Sequence, residues 1–197
     1  MTAKSLTSNV RTTGGKFLTF NLAAEIYGVE VGFVREIAGM TPITAVPNTP
    51  KFIKGVMNLR GKIVPVIDLR IKFGMESCSY SRETCVVVVE IRGSQGKILM
   101  GVIVDSVREV IDVVLDEIGE VPSFGIRVNT DFLKGLANVK SGLTLLLDIE
   151  HVLSHEEMTV VEAAPDTAVM GEDSVLQLAS APDATKHSDS DVNGGGQ

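Results

Sequence analysis

The sequence predicts a mainly all-β protein, and three observations support that fold class. Runs rich in valine and isoleucine, such as 84–91 and 98–104, are typical of strands, because β-branched side chains pack well on a pleated surface. Turn-forming residues interrupt the chain roughly every eight to twelve residues, a spacing seen in small barrels and sandwiches. Aromatic residues make up only 5% of the chain and tryptophan is absent, so aliphatic side chains must build most of the core.

The first predicted element is a hairpin. Leu18, Phe20 and Leu22 alternate with polar residues, as on a strand with one buried face. After a short turn the chain continues as a second strand over 26–31. The three apolar side chains should therefore share one face of the sheet.

The middle of the chain is predicted to contain a tight corner followed by a short helix. The corner Arg60-Gly61 leads into a β-branched strand over 62–67. Asp68 has a side chain suited to a helix N-cap, and Gly74 follows the amphipathic segment 69–73 at a position where helices commonly end.

The second half repeats the pattern of short strands. The predicted strands are 84–91, 98–104, 107–114, 135–139 and 143–149, of which the last two form a hairpin. A polar, linker-like stretch over 76–83 precedes them and is a candidate domain boundary. A short helix is predicted over 150–158.

Charge is distributed unevenly along the chain. The net charge is −7, yet residues 156–197 carry nine acidic side chains against Lys186, so the remainder is nearly neutral. A nucleic-acid-binding protein normally has a strong surplus of Lys and Arg, which argues against that class. Residues 35–72 are mainly basic and residues 105–120 mainly acidic, and such polarity can steer partners end to end.

Both ends of the chain are predicted to be disordered. Residues 1–15 form a polar arm, and residues 159–197 form an acidic tail rich in Ala, Asp, Ser and Gly. No stretch approaches the roughly 18 apolar residues of a membrane helix, and the N-terminus has no hydrophobic signal core. The protein is therefore expected in the cytoplasm.

No catalytic or metal-binding site is predicted, and no cofactor is expected. Cys78 and Cys85 lie in no CxxC pair. His151 and His155 are four residues apart on the predicted helix, but two ligands alone make a weak zinc site. The chain also lacks a phosphate-binding glycine loop and a nucleophile elbow.

Residues 52–74, with the sequence FIKGVMNLRGKIVPVIDLRIKFG, closely resemble the signature of the CheW family of chemotaxis coupling proteins. Further segments fall at that family's spacing: YGVEV at 27–31, VREI at 34–37, ITAVP at 43–47, GVIVD at 101–105 and KGL at 134–136. The resemblance covers residues 16–158 and excludes the arm and the tail.

The resemblance implies two SH3-like five-stranded β-barrels, divided approximately at residues 76–84, with strands that can cross between them. It implies a non-catalytic adaptor that couples transmembrane chemoreceptors to the CheA histidine kinase and supports receptor-array assembly. The implied partners are the regulatory domain of the kinase and the cytoplasmic receptor tips. Nucleic acid and direct membrane insertion are not implied.

The resemblance also assigns candidate contact residues. These are Glu36, Asn58 and Arg60 for the receptor, Leu18, Val31 and Val34 for the kinase, and Gly55 and Gly61 as structural residues at the interface. Internal roles are equally open from the residues themselves. Arg60 can pair with Glu36 or Asp68, Leu18 can be a core residue, and Asn58 can serve the backbone.

A second interpretation is a small barrel that binds a polyanion or a metabolite. The basic side chains that would line its groove are Lys51, Lys54, Arg60, Lys62 and Arg70. Binding of a polyanion through them would weaken steeply with added salt, whereas an apolar protein interface would respond far less.

Overall fold

The computed structural model describes residues 14–120, 132–139 and 142–164. Residues 1–13 and 165–197, which hold most of the predicted arm and tail, lie outside the described residues. Within these ranges the chain forms eleven strands, two short 3-10 turns and two helices, so the mainly all-β class is confirmed.

The strands are numbered in chain order. They are β1 Gly15–Leu22, β2 Glu25–Glu30, β3 Val34–Gly39, β4 Ile53–Leu59, β5 Lys62–Asp68, β6 Cys85–Gly93, β7 Gly96–Val104, β8 Ser106–Val113, β9 Ile118–Gly119, β10 Leu133–Val139 and β11 Gly142–Leu147. The helices are α1 Leu69–Lys72 and α2 at residues 155–164, and the 3-10 turns are Val31–Phe33 and Leu115–Glu117.

Two sheets contain all these strands. The first sheet has the order β8-β1-β2-β11-β10-β9, and the second has the order β3-β6-β7-β5-β4. The second sheet is continuous in sequence and is inserted between the two parts of the first. Residues 76–84, where a division was expected, connect β5 to β6 within the second sheet. The chain instead crosses between the sheets at residues 31–33 and at residue 105.

Each sheet curls so that the chain leaving one edge reaches the other edge. After β3, Thr44 exchanges two backbone hydrogen bonds with Val56 of β4, at 2.8 and 2.9 Å. After β8, the two-residue strand β9 pairs with β10. This connection between opposite edges is the arrangement expected of a small barrel.

The two sheets repeat each other in sequence as well as in topology. Residues 54–69 and 134–149 share Lys-Gly at their start, an asparagine four residues after that lysine, and an aspartate at the C-terminal end of the second strand. The strand registers agree at the same offset, because Met57 pairs with Val64 and Ala137 pairs with Thr144. The fold is therefore built from one strand pattern used twice.

The main core lies between the sheets. It contains Leu18, Phe20 and Leu22 from β1, which share one face as predicted, together with apolar side chains of β6 and β7. A smaller cluster around Met57 and Val64 fills the second sheet. Another cluster, around Phe17 and Leu146, fills the first.

The short helix α1 forms as its cap predicts. The carboxylate of Asp68 accepts hydrogen bonds from the amides of Arg70 and Ile71, at 3.0 and 3.3 Å, and Gly74 follows with a φ of +72°. These bonds satisfy two of the amides that a helix N-terminus leaves without partners.

The helix at the C-terminal side lies further along the chain than predicted. Ser154 and Glu157 form a reciprocal capping pair, in which each side chain accepts a hydrogen bond from the other residue's amide. The helix then runs to residue 164, with Val161 and Ala164 buried. The predicted tail boundary at residue 159 is therefore wrong, because residues 159–164 are helical and part of the folded body.

Candidate functional site

The candidate receptor-binding residues meet at the hairpin between β4 and β5. Arg60 and Gly61 form its two-residue loop, and both have positive φ angles, 53° and 86°. Such a pair matches the twist of the flanking strands. The side-chain oxygen of Asn58 accepts a hydrogen bond from the Gly61 amide at 2.8 Å. Asn58 therefore holds the turn that presents Arg60.

Arg60 pairs with Glu36 and still faces solvent. Its Nη2 lies 3.2 Å from Oε2 of Glu36 on β3, yet 83% of the Arg60 side chain is exposed. Exposed ion pairs contribute little to folding stability. The guanidinium keeps donors free for a second partner, since it carries five. Arg60 can therefore pair internally with Glu36 and still be available for a receptor contact, the two roles considered from the sequence.

A groove begins beside this pair. Its walls include Leu59, Lys62, Val88 and Leu99, and its volume is about 170 Å³. Lys62 and Leu99 also line a second, more apolar groove of about 270 Å³ that extends to α2. The two grooves therefore adjoin on the second sheet, and the hairpin lies beside the first of them.

An ion-pair cluster fixes the strand on which Glu36 lies. Arg35 donates to Glu90 on β6 at 2.8 Å, and Lys97 on β7 lies at the same distance from Glu90. Hydrogen bonds from Arg35 and then Lys97 lower the pKa of the Glu90 carboxyl to about 2. The carboxylate therefore stays charged at neutral pH and ties β3 to the centre of the sheet.

Gly55 makes the close approach of two chain segments possible. Its φ is +132°, and a β-carbon there would lie 2.0 Å from the carbonyl oxygen of Thr44. That distance is far below a van der Waals contact, so no side chain fits without moving the backbone. Gly61, in contrast, has open space around it and is required only by its φ angle.

The candidate kinase-binding residues do not share one environment. Leu18 is 6% exposed and belongs to the main core, so its side chain is not on the surface. Its assignment as a contact residue is therefore corrected: the alternation with Phe20 and Leu22 marks the buried face. Val31 and Val34 are half-buried; Val31 is the first residue of the 3-10 turn where the chain crosses between the sheets, and Val34 directly follows that turn.

The basic side chains considered for a polyanion site are not all free of carboxylate partners. Arg70 forms a two-bond ion pair with Asp105, whose carboxylate also accepts from the Ala23 amide at 2.6 Å. Arg60 is paired with Glu36. Two of the five proposed cations are thus already matched by carboxylates.

No metal site is found among the described residues, since no three His, Cys, Asp or Glu side chains come together there. His151 precedes α2 and lies 3.0 Å from Asp148, whereas His155 is the first residue of the helix. In the part of the chain that the structure describes, no helix is long and apolar enough to cross a membrane.

Sequence reasoning missed the groove and the repeat. The groove depends on how far β5 and β7 run side by side, which no local pattern encodes. The repeat had a visible signal, because Lys-Gly-x-x-Asn recurs at 54–58 and 134–138. A self-comparison of the sequence at that offset would have found it.

The described residues form two small curled sheets over a shared core, with an exposed ion pair beside a groove on the second sheet. The family model described as the CheW-like domain matches residues 16–157, and the chain belongs to that family.

Named relatives agree with this membership. The chain is 42% identical over 151 residues to the chemotaxis protein CheW of Klebsiella aerogenes, covering 77% of this chain and 89% of that protein. It is 31% identical over 157 residues to CheW of Bacillus subtilis, covering 79% and 96%. The solved scaffolding protein TtCheW from Thermoanaerobacter tengcongensis superposes with a TM-score of 0.65 at 34% identity, over 74% of this chain and 98% of that one. These relatives are named as chemotaxis and scaffolding proteins, in agreement with the CheW-like domain of this chain.

Proposed function

We propose that this protein couples transmembrane chemoreceptors to a CheA-type histidine kinase in the cytoplasm, at receptor arrays. The observation that carries the proposal is Arg60, which is held at a fixed corner, 83% exposed, beside an apolar groove. The adaptor contributes no bond chemistry. It keeps two partners close and binds the active and inactive states of the kinase unequally, which shifts their populations.

The receptor contact in this proposal is the Arg60 corner. A receptor tip that offers a carboxylate or backbone carbonyls can accept hydrogen bonds from Arg60, while its apolar side chains enter the groove next to Leu59. Glu36 holds the guanidinium in position until the partner arrives. Asn58 acts indirectly, through the turn.

The kinase contact is proposed at the crossing between the sheets. Val31 and Val34 are the two remaining candidates there, and both are half-buried at the surface of the main core. A kinase domain that covers them would bury apolar area without disturbing that core. The opposite charges of residues 35–72 and 105–120 would favour head-to-tail assembly of such contacts.

The test compares two arginine variants in a co-sedimentation assay. Receptor-containing membranes and kinase are mixed with wild type, Arg60→Ala or Arg92→Ala, and both pelleting and kinase autophosphorylation are followed. Arg92 is the matched control because it is 87% exposed and also pairs with a glutamate, Glu150, at 3.7 Å.

We expect Arg60→Ala to keep the wild-type unfolding temperature and to weaken receptor binding about tenfold or more, the loss typical of a charged hydrogen-bond partner. Arg92→Ala should behave as wild type. Normal receptor control of the kinase with Arg60→Ala would contradict the proposal.

A further inference from the structure

The apolar groove on the second sheet exists because two parallel strands diverge. β5 and β7 pair only where residues 66–68 meet residues 101–103. Before that ladder the strands separate, and Ile63, Pro65 and Leu99 line the gap. At about 270 Å³ the groove is smaller than a typical small-molecule pocket of roughly 300–1,000 Å³, and it is open to solvent. It suits a few apolar side chains of a peptide.

The groove also has a defined charge. Lys62 lies on its wall and is exposed, and among the described residues no ion pair involves it. The adjoining groove is lined by Arg60 with its partner Glu36, and Glu162 lies on the wall that α2 forms. An occupant that combines apolar side chains with carboxylates would satisfy both features.

The described chain stops at this groove. Val161 and Glu162 of α2 form part of its wall, and the described part of the helix extends two residues further, to Ala164. A further 33 residues follow, and their charged side chains are six carboxylates and Lys186. Their main apolar segment is Val175-Leu176-Gln177-Leu178, directly preceded by Glu172-Asp173-Ser174.

We propose that residues 172–178 of this chain occupy the groove as an internal ligand. Val175, Leu176 and Leu178 fill the apolar part, and Glu172 and Asp173 face Lys62 and Arg60. The segment then covers the surface on which Arg60 lies, so that an external partner must displace it. This inference concerns contact within the chain and goes beyond the proposed coupling function.

The connection is long enough for this contact. Ten residues lie between Ala164 and Val175, and the eleven Cα-to-Cα steps can span up to about 36 Å when extended. The groove itself begins at α2. A short linker gives an effective concentration on the order of 1 mM, so a segment with an intrinsic Kd of about 0.1 mM would occupy roughly nine grooves in ten. Even weak complementarity is therefore sufficient.

The test is zero-length carbodiimide cross-linking of the full-length protein, read by mass spectrometry. The reagent joins carboxylates only to amines in direct contact. We expect cross-links from Lys62 to Glu172 or Asp173 in the monomer. Lys16, which is 64% exposed on the first sheet, serves as the control lysine and should not react with the segment.

Matched variants locate both sides of the contact. The double variant Leu176→Asp, Leu178→Asp should lower the yield of Lys62 cross-links about tenfold, because the segment then no longer occupies most of the grooves. Val192→Asp, in the same tail, should not change them. Ile63→Glu should also abolish them, whereas Leu143→Glu, at the equivalent position of the first sheet, should not. Ile63 and Leu143 are both exposed apolar residues, at 39% and 56%.

Two results would overturn the inference. One is an absence of Lys62 cross-links, or their equal distribution over all exposed lysines. The other is cross-links between chains in a mixture of ¹⁵N-labelled and unlabelled protein, which would assign the groove to a second copy. Because the readout is contact and not signalling, either result leaves the proposed coupling function intact.

Discussion

Gly55 is required for the fold because its backbone lies very close to the carbonyl oxygen of Thr44. The hydrogen bonds between Thr44 and Val56 bring the chain across the second sheet, and only a glycine leaves room for the Thr44 carbonyl. The Lys-Gly pair recurs at 134–135, and a β-carbon on Gly135 would lie 2.9 Å from the carbonyl oxygen of Gly119. The same close approach therefore occurs where each sheet closes on itself.

Gly55→Ala is expected to lower the free energy of unfolding by about 3 kcal/mol, because it adds backbone strain and breaks the Thr44 hydrogen bonds. Urea unfolding measures the change. Gly39→Ala is the control, since a β-carbon on Gly39 meets no atom within 4 Å. Equal stabilities of the two variants would show that the strand edges do not depend on this contact.

Single residues also show what the sequence could and could not predict about the site. The structural roles of Gly55 and Gly61, expected from the resemblance, have a clear geometric cause in their φ angles. The side-chain amide of Asn58 bonds the turn, which was one of the two roles considered for it. Arg60 was ambiguous because its pairing with Glu36 joins strands that are distant in sequence.

At the scale of elements, the helix α2 joins the folded body to the tail. Its start is encoded locally, since Ser154 and Glu157 have the spacing of a capping box. The burial of Val161 and Ala164 is not encoded locally, because both side chains belong to clusters with core residues from other parts of the chain. The polar composition that begins near residue 165 can be recognised from the sequence, whereas the burial of Val161 and Ala164 cannot.

A chain that ends at Met158 is expected to be less stable than a chain that ends at Ala164. The shorter chain loses the fully buried Val161 side chain and its packing, about 3 kcal/mol. The corresponding drop in unfolding temperature is about 6–12 °C for a protein of this size. Calorimetry of the two truncated chains measures it. Identical unfolding temperatures of the two chains would mean that residues 159–164 do not stabilise the folded protein by packing against its core.

At the scale of the whole molecule, the two sheets form one unit because the main core lies between them. Leu18 on β1 belongs to the same buried cluster as Val87 and Val102 of the second sheet. The crossings of the chain at residues 31–33 and 105 also link the sheets covalently in two places. Separate unfolding of the two sheets is therefore not expected.

Leu18→Ala is expected to destabilise the whole protein by about 2–5 kcal/mol, in a single unfolding transition, because it leaves a cavity in the shared core. Leu143→Ala is the chemically matched control, since Leu143 is 56% exposed, and it should change stability by less than about 0.5 kcal/mol. Thermal unfolding followed by circular dichroism distinguishes the two. An unchanged stability of Leu18→Ala with weakened kinase binding would restore Leu18 as a contact residue.

The sequence by itself determined the β class, the first and last hairpins, the Arg60-Gly61 corner and the cap of α1. These features depend on neighbouring residues: turn chemistry, alternation with a period of two, and side chains that bond nearby amides. Only the tertiary structure decided which strands share a sheet, that Leu18 is buried, that Val161 and Ala164 are buried, and that a groove opens between β5 and β7. The physical reason is that these features depend on hydrogen bonds and packing between segments far apart in the chain. The continuous apolar run of β6, with Val86 to Val89 all buried, shows no polar face from which a partner sheet could be inferred.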